Sequence, residues 1–299
     1  MGRPIIEIDQ LSRQFGSTLA LDDVNLDVPK GTVVGLVGEN GAGKTTIIKH
    51  VLGLLRAKTG QVAVFGLNPA SDPVSVLSRI GYLSEDRDMP DWMRVDELMR
   101  YSAAFFPAWD WKLAQQLAET FDLDAAQKVK TLSRGQRALT GLLVALAHRP
   151  ELLVLDEPSS GLDPVVRRDI LTAIIRTVSD EGRTVLFSSH LLEEVERVSD
   201  RVAMMHAGRL VLCDDLDVLL SGHHRLTLRF AEAVLEIPTL PGALWCTGRL
   251  REWTCICNGQ LDELKRAAVE LGAAVIGEES ASLEDIFVAR VKGIPEEAA

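Results

Sequence analysis

Nine consecutive residues, Gly38-Glu39-Asn40-Gly41-Ala42-Gly43-Lys44-Thr45-Thr46, combine small side chains with one cation and two hydroxyls. Their spacing is that of a phosphate-binding loop set between a strand and a helix. Glycines let the backbone curl so that successive N–H groups point inward, and the following helix presents its positive end to an anion. Lys44 would bring a mobile cation to the β- and γ-phosphates of a nucleotide, and the Thr45 hydroxyl would ligate Mg²⁺. All nine residues are therefore expected to line bound nucleotide. A second cluster follows the apolar run Leu152-Leu153-Val154-Leu155, which ends in Asp156-Glu157. Asp156 is placed to hold Mg²⁺ through its water shell, and Glu157 to orient and deprotonate an attacking water.

The flanking sequence alternates β-rich and helical runs, the pattern of a mixed α/β domain. Thr32–Val37 is almost wholly apolar, as a strand buried on both faces must be. Short strands are expected at Ile5–Ile8, Val24–Val28 and Thr184–Phe187, and helices at Pro164–Val178 and Leu191–Val198. From Val95 to Asp124 the period is helical, interrupted at Pro107 and the Trp109-Asp110-Trp111 cluster. Ser221-Gly222-His223-His224 reads as the boundary, with the histidine pair as a polar turn. The expected division is 1–221 and 222–299, the second part a small α+β domain. Leu261, Leu264, Ala268 and Leu271 fall on one helical face there. Ser282-Leu283-Glu284-Asp285 has the spacing of a capping box that starts a last helix.

Composition narrows the class. Of 299 residues, 46% are hydrophobic and 25% charged, which fits a folded protein and not a disordered or fibrous one. Acidic residues outnumber basic ones 43 to 32, for a formal net charge of −11, and no Lys/Arg-rich block stands out. A nucleic-acid partner held by counterion release is excluded on that ground. The richest apolar stretch, Leu139–Ala147, falls well short of the ~20 residues that span a bilayer. No apolar signal core follows Met1, so an intracellular, soluble protein is expected. The four cysteines, with Cys246, Cys255 and Cys257 close together, lack zinc-ligand spacing and are expected to be buried or half-buried thiols.

Just upstream of the acidic pair lies Leu132-Ser133-Arg134-Gly135-Gln136-Arg137. It resembles the signature motif of ABC-type ATPases, whose usual core is Ser-Gly-Gly-Gln. With Ser160-Gly161-Leu162-Asp163 and with His190 after Phe187-Ser188-Ser189, the motif order resembles an ABC nucleotide-binding domain over residues 4–220. The resemblance implies a P-loop NTPase core with a helical subdomain near residues 95–147. It also implies a role for each matching position. Phe15 stands where an aromatic stacks on adenine, and Ser133, Gly135 and Gln136 where the γ-phosphate of ATP on the other subunit is met. Asp163 is expected to link two sites across a dimer, and His190 to sense the γ-phosphate beside Glu157 and Lys44. Two positions depart from the pattern. Arg134 replaces the first glycine of the signature pair, and Glu85 stands where the family usually has a glutamine that ligates Mg²⁺, a place in which its carboxylate oxygen is expected to serve as the Mg²⁺ ligand.

The family likeness implies an ATP-hydrolysing subunit of an ABC transporter, with ATP and Mg²⁺ as ligands. Its partners would be a second ATPase subunit, identical or not, and separate membrane-spanning permease subunits. It would lie on the cytoplasmic, inner face of the membrane. The tail after Gly222 resembles bacterial exporter ATPases, so export is the expected direction. Non-transport ABC ATPases and a regulatory ATP-binding module are the competing readings. The first usually carry long coiled coils or two cassettes per chain, and the second needs neither Glu157 nor His190.

Overall fold

The computed structural model describes residues 3–179, 182–235 and 240–292. The chain begins with β1 (Ile6–Phe15), β2 (Thr18–Val28), β3 (Val33–Gly38), α1 (Lys44–Val51), β4 (Thr59–Val64), α2 (Pro73–Leu77) and β5 (Ile80–Leu83). Three helices follow: α3 (Val95–Ala103), α4 (Trp111–Thr120) and α5 (Arg134–Leu146). Then come β6 (Leu152–Leu155), α6 (Pro164–Ser179), β7 (Thr184–Ser189), α7 (Leu192–Val198), β8 (Arg201–His206) and β9 (Arg209–Asp215). These elements make up most of one unit, Met1–Cys213, and a second unit spans Asp214–Ala299.

Alternation in β2 buries Val24, Leu26 and Val28 on one face, as a half-buried antiparallel strand requires. With β1 and β4 it forms a three-stranded antiparallel sheet in the order β2-β1-β4. The continuous apolar runs instead form a six-stranded sheet, β5-β6-β7-β3-β8-β9, in which β5, β6, β7, β3 and β8 run parallel. Every residue of β3, β6 and β7 is buried. Ile47, Ile48 and Val51 of α1 join the core that fills the space between the two sheets. Parallel pairing places the C-terminal ends of β3, β5, β6 and β7 on one edge, where open α/β sheets bind ligands.

The helical run expected from Val95 to Asp124 is split into α3 and α4, with Phe106-Pro107 between them. Helix α5 packs directly on β5. Gly81 allows this: a Cβ there would lie 2.1 Å from the Ala145 carbonyl oxygen. Across the same contact, a Cβ on Gly141 would fall 2.6 Å from Leu83 Cδ1. The helix that opens with Ser133-Arg134 is thereby fixed to the sheet strand that leads to Glu85.

The second unit contains α8 (Leu216–Gly222), β10 (His223–Phe230), β11 (Ala243–Arg249), β12 (Glu252–Asn258), α9 (Leu261–Glu270), β13 (Ala273–Ser280) and α10 (Leu283–Lys292). Its antiparallel sheet has the order β11-β12-β10-β13. Leu226, Leu228, Phe230, Trp253 and Leu264 form its core. Three expectations fail here. His223 is not a turn residue: it opens β10, is buried, and donates from Nδ1 to the Leu219 carbonyl at 2.8 Å. Cys246 and Cys255 are not free thiols but a disulfide, because β11 and β12 set them directly opposite each other with Cα atoms 4.2 Å apart. Cys213, half-buried, and Cys257, buried, take no part in a disulfide. The capping box at Ser282 is present, with Ser282 Oγ accepting from Asp285 N at 3.1 Å. Leu271, expected on the apolar face of α9, is instead exposed just past the helix end.

Candidate active site

Strand β3 ends at Gly38, and the chain turns through Glu39–Gly43 into α1, whose first residue is Lys44. Gly43 has φ 108°, in the left-handed half of conformational space, and a Cβ there would sit 2.7 Å from the Ala20 carbonyl oxygen. Only glycine fits both demands. The Lys44 amine, 5% exposed, curls back over its own loop to donate to the carbonyls of Gly38 (2.7 Å) and Glu39 (3.2 Å). Thr45 and Thr46 follow in the first turn of the helix, with Asn40 and Gly41 at the tip of the loop and Ala42 buried beneath it.

The acidic pair meets this loop from β6. Asp156 is 1% exposed, and its Oδ1 accepts from Thr45 Oγ1 at 3.2 Å and from Ser188 Oγ at 2.7 Å. Burial pushes the Asp156 carboxyl above the usual carboxylate range; the Ser188 and Thr45 hydrogen bonds pull it back, Glu157 raises it and Lys44 lowers it. Glu157 is 5% exposed and holds φ at 47°, a sparsely populated conformation for a non-glycine residue. Its Oε1 lies 3.1 Å from Lys44 Nζ and its Oε2 2.7 Å from His190 Nδ1. Nearby, burial and then the charges of Asp156 and Asp86 push the Tyr82 phenol up to about 12, so it stays neutral.

Lys44, Thr45, Asp156, Glu157 and His190 are thus one connected cluster. Thr45 and Asp156 offer hard oxygen donors of the kind Mg²⁺ takes. Among the described residues no three His, Cys, Asp or Glu side chains converge on a metal cage. Mg²⁺ itself keeps several waters and takes few protein ligands beside substrate phosphates.

The other expected residues occupy separate places. Phe15 sits at the end of β1 in the β1–β2 hairpin, 44% exposed, with the Arg13 guanidinium 4.7 Å from its ring centroid. Ser133 caps α5: its Oγ accepts from Gln136 N at 3.1 Å, and the Gln136 side chain accepts from Ser133 N at 3.0 Å. Gly135 is buried against α6, where a Cβ would meet Val166 Cγ2 at 2.9 Å. Asp163 caps α6 by accepting from the amides of Val165 and Val166. Glu85 is exposed on the loop after β5.

Three residues of this neighbourhood were not among those the sequence singled out. Ser188 accepts from the Glu157 amide at 2.9 Å while donating to Asp156. Glu194 of α7, 4% exposed, accepts from Ser159 and Ser189 and pairs with Arg167 at 3.0 Å. Arg87 donates to the backbone between Glu157 and Asp163. Hydroxyls in the otherwise apolar run before His190 were the one visible hint, for Ser188.

A profile of the ABC transporter family matches residues 21–160. An uncharacterized ABC transporter ATP-binding protein of Bacillus subtilis, YdbJ, is 32% identical over 301 residues, covering 96% of each chain. A bacitracin transport ATP-binding protein of Enterococcus faecalis is 32% identical, with 76% of this chain and 73% of that protein aligned. Among solved structures, an ATP-binding subunit of an ABC transporter is superposable with a TM-score of 0.67 at 27% identity, over 73% of this chain and 92% of its own. Similarity at this level over almost the full length, with a P-loop core in the matching place, means that the chain belongs to the ABC transporter ATP-binding proteins, a family of ATPases.

Proposed function

We propose that the cluster around Lys44 is the hydrolytic site and that this subunit powers transport through separate membrane-spanning subunits. The observation that carries the reading is the meeting of Lys44, Glu157 and His190, with Glu157 within 3.1 Å of one and 2.7 Å of the other. Gly38–Thr46 would wrap the phosphates, with backbone amides and the Lys44 cation facing them, and Phe15 would stack on the adenine. Thr45 and Asp156 would hold Mg²⁺, which when bound offsets phosphate charge as it develops. Burial raises Asp156 and a nearby cation would lower it, so the donor set fits. Glu157 would take the proton of the attacking water, and His190, held on its Oε2, would orient it and face the γ-phosphate.

One chain carries both a phosphate loop and a signature helix, so a head-to-tail pair would make two equivalent sites, Lys44 of one subunit facing Ser133, Gly135 and Gln136 of the other. Asp163 would join the two sites. Residues 1–221 would form the ATPase domain, with the helices at 95–147 as its subdomain, and 222–299 an accessory domain. The bacitracin transport relatives support transport, and export is the direction proposed. Among the described residues no helix is long and apolar enough to cross a membrane, which fits a subunit resting on the inner membrane face against permease subunits.

The test is Glu157→Gln. The amide keeps the shape but cannot accept the water proton, so ATP affinity should persist while turnover falls about 10²–10⁴-fold. Turnover within about threefold of the unmodified protein would take the base role away from Glu157.

A further inference from the structure

Two loops far apart in sequence are joined by one buried cation. Arg87 follows β5, has φ 52° and is 4% exposed. Its Nη2 donates to the carbonyls of Pro158 (3.2 Å) and Ser160 (2.9 Å), both inside the turn from Glu157 to Asp163. Within that turn Ser160 N donates to Glu157 O and Leu162 N to Ser159 O, each at 3.2 Å, and Ser159 Oγ donates to Glu194. A second guanidinium borders it: Arg134, at the start of α5, lies so near Gly161 that a Cβ there would come within 2.3 Å of its Nη1.

A buried guanidinium persists only where acceptors and an opposite charge meet it. Two carbonyls supply the acceptors. The charges around it are Glu85, on its own loop, and Arg134, from α5. Burial and then Arg134 weaken the hold of Arg87 on its proton, and Glu85 strengthens it.

We propose that Arg87 is a positioning residue of the ATPase reaction, tying the Glu157–Asp163 turn to the loop after β5. This rests on the hydrolytic reading above, because the turn starts at the base and ends at the residue assigned to link the two sites. If the turn slackens, Glu157 loses the fixed left-handed backbone that aims its carboxylate. ATP binding, which draws on the phosphate loop, does not depend on Arg87.

The experiment compares Arg87→Gln and Arg87→Lys with the native protein in the full chain. Read out are ATP affinity by calorimetry, turnover, thermal midpoint, and amide exchange of Ser159–Leu162 against β6. Expected for Arg87→Gln is turnover at least tenfold lower, affinity within twofold, and faster exchange confined to the turn. Arg87→Lys should recover part of both losses. Unchanged exchange in the turn, or full turnover in Arg87→Gln, would overturn the tie. Should Arg87→Gln not fold, exchange in Arg87→Lys decides, since it keeps the charge but not the paired donation. A native protein that neither binds nor hydrolyses ATP would sink the hydrolytic reading, while the exchange data would still judge the tie.

Discussion

The Ser188 hydroxyl holds the acidic pair from behind, giving its proton to Asp156 and receiving the Glu157 amide. Ser188→Ala leaves a carboxylate oxygen and a buried N–H short of partners, a loss of about 1–3 kcal/mol. We expect turnover to fall roughly tenfold or more, with the Mg²⁺ titration of ATPase activity moved to higher concentration, since Asp156 then gives up its proton less readily. Superimposable titration curves would clear Ser188 of this role. Lys44→Ala removes the cation from the phosphate loop, and calorimetry should show ATP affinity at least ~10-fold weaker. Lys44 and its loop were legible because one unbroken stretch of chain supplies the whole cradle. Ser188 and Arg87 were not, since their partners lie 32 and more than 70 residues away and only strand pairing brings them together.

Helix α5 must start at one residue and lie at one distance from β5. Its start depends on Ser133, which caps the helix through its own Oγ. Ser133→Ala should cost about 1 kcal/mol of stability, so a loss of activity in that variant has two causes. Ser133→Asp separates them: the carboxylate still caps, and the thermal midpoint should hold. A negative charge facing a γ-phosphate should nonetheless abolish ATPase activity; activity near the native level would exclude Ser133 from that contact. The distance depends on Gly81, where alanine would force a Cβ to within 2.1 Å of the Ala145 carbonyl. Overpacking of this kind costs roughly 1–3 kcal/mol, and a melt of Gly81→Ala unchanged from the native one would contradict the direct docking. Apolar runs made β3, β6 and β7 readable in sequence, and periodicity made α6 and α9 so. The disulfide between Cys246 and Cys255 was not readable, because it depends on the register of two neighbouring strands rather than on residue spacing.

The whole first unit carries a pH dependence written into its interior. His148 donates from Nε2 to the Ile80 carbonyl at 3.1 Å and stacks on Phe106, while His50 donates from Nδ1 to Thr46 at 2.8 Å. Burial, the leading cause for both, holds them below the ordinary histidine range. In the unfolded chain each takes a proton near its usual ~6.5, so below that value protons favour unfolding. Stability is therefore complete above ~6.5 and is lost as pH falls from there toward the lower folded values. The thermal midpoint should drop by a few degrees between about pH 7.5 and 5.5, and His148→Gln should flatten that slope. A midpoint constant across the range would mean these rings are already solvated. The acidic net charge of −11 does not reproduce this signature, because neutralising carboxylates relieves repulsion instead.

Strand β3 lies between β7 and β8, and these are its partners in the sheet. During synthesis the phosphate-loop strand leaves the ribosome roughly 150 residues before β7 is made, a wait of about 8–30 s at ~5–20 residues per second. Through that interval its four aliphatic residues, Val33, Val34, Leu36 and Val37, have no strand to pair with, an invitation to chaperones or to wrong neighbours. Chains stalled before Thr184 should fail to retain ATP on a nucleotide resin, whereas chains released beyond His206 should bind it. The most recognisable stretch of this protein is thus among the first made and the last to be secured.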